Sequence, residues 1–351
     1  AERTATRLAA QPAVPAFEVD PRWPQLPPQW TLGQVTGVSV DAADHVWVLH
    51  RPWSLESDEK AQNPEAACCT PAPHVMEFDA AGRYLRGWGG PGEGYEWPED
   101  EHAIHVDYKR NVWITSAGGP RLPGGKENMI LKFTSDGKFL LQIGKRGMSK
   151  GSLDTANVNN AADVYVDPRT NELYVADGYV NRRVIVYDAD TGAFKRMWGA
   201  YGKPPDDGAS KALALDGPPP AQFNLVHGVR VSEDGHVYVN DRRNNRMQVF
   251  STAGVFEREI FVERSTKLLG TSMAVAFSRD AAQRYLFLAD AGNGKVRIYD
   301  RASLSELGGF GRIGRYAGQF IFLHALAVDS KGDLYTAEVG TGRRVQKFVR
   351  R

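Results

Sequence analysis

A unit recurs six times along this chain. Each copy has a short alternating run, an acidic turn, and a second run that is aromatic or aliphatic at every other place. The copies are TGVSVDAADHVWVLHR from Thr36, HAIHVDYKRNVWITSA from His102, ADVYVDPRTNELYVADG from Ala162, HGVRVSEDGHVYVNDR from His227, MAVAFSRDAAQRYLFLADA from Met273 and HALAVDSKGDLYTAEV from His324. A third run follows most of them, as in VIVYDADTGAFKRMWG and MQVFSTAGVFEREI. A period of two between tight polar turns specifies antiparallel strands joined as hairpins. The unit starts lie 46 to 66 residues apart, which is room for about four strands and a loop, the size of a propeller blade. The fold class predicted is therefore all-β: a six-bladed β-propeller of four-stranded antiparallel blades. The sixth unit ends in VQKFVRR without an outer strand, and FEVDPRWPQ from Phe17 is expected to supply it, closing the ring and removing an open edge. Residues 1–351 read as one domain, with 1–16 a flexible N-terminal segment.

Composition excludes some functions. With 43 Lys and Arg against 42 Asp and Glu, the net charge is +1. No global field would draw nucleic acid or an anionic membrane. No apolar run approaches the roughly 20 residues of a membrane span. The first residues, AERTATRLAAQP, are small and polar and resemble a mature end left by signal cleavage, so a secreted or periplasmic monomer is expected. The two cysteines, Cys68 and Cys69, are adjacent. They are either loop thiols or a vicinal disulfide over the site, which an oxidising compartment favours.

The residue that opens each unit is Thr36, His102, Ala162, His227, Met273 and His324. If this first strand is the innermost, the three histidines stand in alternate blades, about 120° apart around the channel in a six-fold ring. Three neutral nitrogen donors would then converge and leave a fourth position open, as catalytic zinc requires. Channel water is the other reading of such a trio. A second register lies where the second strand exits. Asp177, Asp241, Asp290 and Glu338 share one position and read as turn caps. Arg51 and Arg242 share the next, where other units carry Ala117, Gly178, Ala291 and Val339. Two guanidiniums near a zinc point to recognition of a carboxylate or oxyanion, against a rim salt bridge. Met273, His50 and Phe322 complete the expected pocket.

The units resemble NHL repeats. The segments LHRPW, DVYVDPRTNELYVADGYVNRRVIVYD, GPPPAQFNLVHGVRVSEDGHVYVNDRRNNRMQVF and HALAVDSKGDLYTAEV further resemble the peptidyl-α-hydroxyglycine α-amidating lyases, from about Gly37 to Phe348. That resemblance implies a zinc held by His102, His227 and His324, with Tyr179 as general base and Arg51 and Arg242 beside the substrate. It implies cleavage of the C–N bond of an α-hydroxy amide to an amide and an aldehyde such as glyoxylate. The substrate is then a small molecule or a peptide. The family also holds a structural calcium through an aspartate after its third zinc histidine. Ala325 stands there, which leaves the calcium doubtful. Phe322 replaces a methionine of the family and Val180 a cysteine. The same parts could serve a zinc hydrolase or lactonase, and a non-catalytic propeller binding a protein partner is the third class.

Overall fold

A computed structural model describes residues 14–59, 68–117, 127–209 and 217–351. Most of the expected N-terminal segment, 1–13, lies outside the described residues. The rest forms six four-stranded antiparallel blades. The innermost strands are Gln34–Val40, Glu101–Val106, Asp163–Asp167, Val226–Val231, Ala274–Phe277 and Leu323–Val328. Each neighbours the innermost strands of the blades on both sides, and the sixth neighbours the first, so the ring is closed. Phe17–Asp20 pairs antiparallel with Arg344–Arg350 as the outer strand of blade six. The closure expected from FEVDPRWPQ is the one observed.

Alternation explains the packing. One side chain in two points to each face of a blade, and both faces are covered by neighbouring blades. Six apolar clusters result, one in each interface between blades. The hairpin turns latch blades together. Gly137 and Gly254 hold φ of 87° and 85°. A Cβ on either would lie 2.8 Å from the rings of Trp88 and Trp198 respectively, the aromatics ending the outer strand of the preceding blade.

The acidic caps do more than close turns. Asp241 accepts Arg246 Nε at 2.8 Å and the backbone N–H of Asn224 at 2.7 Å. Asp177 does the same with Arg183 at 2.8 Å and Asn159 N–H at 2.9 Å. Glu338 takes Arg344 and Ile321 N–H, both at 2.6 Å. Each carboxylate thus ties the end of strand two to the loop that enters the innermost strand. Asp241 and Arg246 are fully buried. Asp241→Ala is expected to destabilise the protein by about 3–5 kcal/mol, because it removes the 2.8 Å partner of a buried guanidinium and leaves it the more distant Glu259 carboxylate at 3.4 Å. Urea unfolding of the two proteins measures it; a loss under about 1 kcal/mol, the range of exposed pairs, would show the pair to be dispensable.

Candidate metal centre and active site

The loops that these caps tether carry left-handed residues two places before the register. Leu225 has φ 78° and Phe322 φ 53°. The strand pairing then slips by a residue at His227, at His324 and across His102 and Ala103. Such a bulge bends the strand and re-aims one side chain. Here the re-aimed side chains are the three imidazoles, brought together in the channel with ring centroids 4.7 to 5.0 Å apart.

Each ring is fixed by its neighbour. His102 Nδ1 donates to Ala162 O at 2.6 Å, His227 Nδ1 to Met273 O at 2.9 Å, and His324 Nδ1 to Thr36 O at 2.7 Å. The acceptors are the residues of the same register in blades three, five and one. With the proton held on Nδ1, every Nε2 keeps its lone pair for the centre. One ligand nitrogen from each ring lies within 4.8 Å of the others. Burial lowers all three imidazoles well below their ordinary value, with His324 about 3, and mutual repulsion adds to this for His102 and His227. All three are therefore neutral at neutral pH, the form a metal ligand needs. This donor set fits zinc: three imidazole nitrogens and one open side.

Tyr179 stands over the open side. Its hydroxyl is 2.9 Å from His102 Nε2, to which it donates, and 3.3 Å from His227 Nε2. Arg242 Nη1 donates to the same oxygen at 3.3 Å. Arg242 Nε is anchored on Leu269 O at 2.6 Å, and its guanidinium lies 5.5 Å from the Phe322 ring. Arg51 is held alike, with Nε on Glu101 O at 2.8 Å and Nη1 on Gln34 Oε1 at 3.1 Å. Both arginines lead into a short 3₁₀ turn, Pro52–Ser54 and Arg242–Asn244, where the strand exits. A cavity of about 190 Å³ opens between Arg51, Tyr179, Phe322, His102 and His324. A second of about 110 Å³, with His105, Tyr165 and Arg230, lies at the far ends of the innermost strands, away from the Nε2 atoms.

Two expected pocket residues lie elsewhere. His50 is wholly buried inside blade one. Its Nδ1 accepts Gly33 N–H at 3.1 Å and Nε2 donates to Ala72 O and Pro73 O at 3.1 Å. It does there what Asp177 and Asp241 do in their blades, and its repeat position, one before Arg51, was the signal. Met273 packs its side chain into the cluster between blades five and six and offers the centre only its carbonyl. The Cys68 and Cys69 sulfurs are in contact beside Pro28 O and line neither cavity. The loop before them, 60–67, lies outside the described residues. Ala325 offers no carboxylate; the one at that repeat position is Asp163, which accepts Val229 N–H and pairs with Arg230. Gln34 was not singled out from sequence. It holds the repeat position of Leu225 and Phe322, which is the only mark it carries there.

Burial lowers His50 to about 4. The unfolded chain, with its histidine near 6.5, binds the extra proton first. Stability is therefore full above about pH 6.5 and falls as pH drops toward 4, with His50 contributing on the order of 3 kcal/mol. His50→Gln is expected to flatten that slope in urea midpoints between pH 7 and 4; an unchanged slope would assign it to other groups.

The NHL repeat family matches residues 223–250, the first three strands of blade four. NHL repeat-containing protein 3 of Homo sapiens is 26% identical over 343 residues, spanning 95% of this chain and 84% of that protein. A probable peptidyl-alpha-hydroxyglycine alpha-amidating lyase of Caenorhabditis elegans is 22% identical over 332 residues, 90% of this chain and 83% of its own. Among solved structures, a streptogramin B lyase superposes with a TM-score of 0.55 at 12% identity, covering 95% of this chain and 98% of the other, which bears on the fold alone. With an NHL repeat matched in blade four, similar proteins along nearly its whole length and a closed ring of six blades, the chain is a six-bladed β-propeller similar to NHL repeat-containing and amidating-lyase proteins.

Proposed function

We propose that the protein is a metal-dependent lyase that splits the C–N bond of an α-hydroxy amide into an amide and an aldehyde. What carries the reading is the convergence of three Nδ1-anchored imidazoles on one point, under a tyrosine hydroxyl that a buried arginine also touches. A partner-binding face has no use for that arrangement. A divalent ion, zinc by the donor set, would be held by His102, His227 and His324 and would supply a Lewis acid for the substrate oxygen.

The remaining work belongs to the chain. Arg51, at the wall of the 190 Å³ cavity, binds a carboxylate on the reacting carbon. Entering the step as its phenolate, Tyr179 Oη takes the proton of the substrate hydroxyl, the C–O bond becomes a carbonyl, and the C–N electron pair leaves with nitrogen. That nitrogen takes a proton back from Tyr179, so the cycle needs no redox partner. Arg242 Nη1 faces the charge that passes through the phenol oxygen. Val339, Phe322 and Ala117 line the same cavity and keep water from the reacting carbon. The test is turnover of an N-acyl-α-hydroxyglycine with release of glyoxylate. Release from an ester or lactone instead, with no amide cleavage, would give the site to a hydrolase.

A further inference from the structure

Beside the centre lies a larger cleft of about 340 Å³, lined by Arg242, Arg243, Asn245, Lys267, Leu268 and Leu269 among others. Arg242 is common to both: Nη1 reaches Tyr179 while Nε binds Leu269 O on the cleft side. The cleft and the reacting position are thus separated by one side chain, Arg242, which lines the cleft and touches Tyr179. The cleft sits over blades four and five, whereas the smaller cavity sits over blades one, two, three and six. Gly270, at φ 82°, lets its walls close, since a Cβ there would lie 2.4 Å from Arg242 O.

Its charge is one-sided. Arg242, Arg243 and Lys267 are cationic and no lining residue among those described is acidic. Arg243 and Lys267 are exposed, and among the described residues no carboxylate pairs with either. On a chain whose net charge is +1, three cations around one cleft are a local feature. Leu268, 70% exposed, adds an apolar wall.

We infer that this cleft receives the amide-side portion of the substrate and selects chains with a carboxylate next to the reacting residue. The inference rests on the α-hydroxy amide reading for its chemistry. A substrate then lies across the centre, its small hydroxy-acid end by Arg51 and its acidic acyl or peptidyl end by Arg243 and Lys267. Complementary charge at such a rim discriminates between ligands.

The test compares three N-acyl-α-hydroxyglycines that carry glutamate, alanine or lysine next to the reacting residue. The wild type is expected to favour glutamate over lysine by roughly tenfold in kcat/KM, the scale of a few exposed charge pairs. In R243E/K267E that order should reverse when each rate is taken relative to the alanine substrate of the same protein. Binding of the three corresponding product amides is measured in parallel. If neither protein turns over any substrate, the lyase reading fails, and amide binding alone decides the cleft: glutamate preference lost in the double variant upholds it. Equal affinity for all three amides, or the same preference in both proteins, overturns it.

Discussion

His227→Ala should abolish metal binding and C–N cleavage together while leaving the propeller folded. His227 faces the channel rather than an interface between blades, so the apolar clusters stay filled. The two remaining imidazoles, His102 and His324, would offer an ion two nitrogens on one side only. Losing an outer-shell partner of a metal ligand costs roughly 10–100-fold, and losing the ligand itself should exceed that. Metal content after dialysis, the melting temperature and glyoxylate release are the three readouts. His236→Ala is the control, since His236 is partly exposed at the far turn and pairs with Glu257 at 2.6 Å. A variant that keeps a stoichiometric metal and full turnover would remove His227 from the centre.

Tyr179→Phe should lower turnover by roughly 10²–10⁴, the span for a lost acid–base group, with metal content unchanged. The ring remains to pack against His102, whose centroid is 5.0 Å away, and only the hydroxyl between His102, His227 and Arg242 is removed. Because that hydroxyl acts on a bound substrate, kcat should fall far more than KM rises. Full activity with metal in place would assign the proton transfer elsewhere. A rise in KM alone would make Tyr179 a binding residue.

The architecture was legible along the chain because a blade is a local object. Period-two alternation and an acidic turn recur within each unit, and six units of one size leave a ring as the way to bury both faces. The same regularity made a breach informative. Histidine opens units two, four and six, and arginine follows the cap in units one and four only, so the angular places of these side chains could be read from repeat position.

What lay between blades was not legible. The proton on each Nδ1 is set by a carbonyl of Thr36, Ala162 or Met273, and a carbonyl looks the same on every residue. His50 and Arg51 are adjacent, yet the pleat turns one into the blade and the other to the cavity. Sequence reasoning put both in the pocket because it weighed residue type over register. The cleft of Arg243 and Lys267 joins two loops some 24 residues apart, and only the packing of blades four and five brings them to one rim. The chain by itself thus determined the fold and which blades carry the three histidines and the two arginines. The tertiary structure decided tautomer, anchoring and charge around the substrate, since those depend on backbone groups and on distances across interfaces that no local pattern encodes.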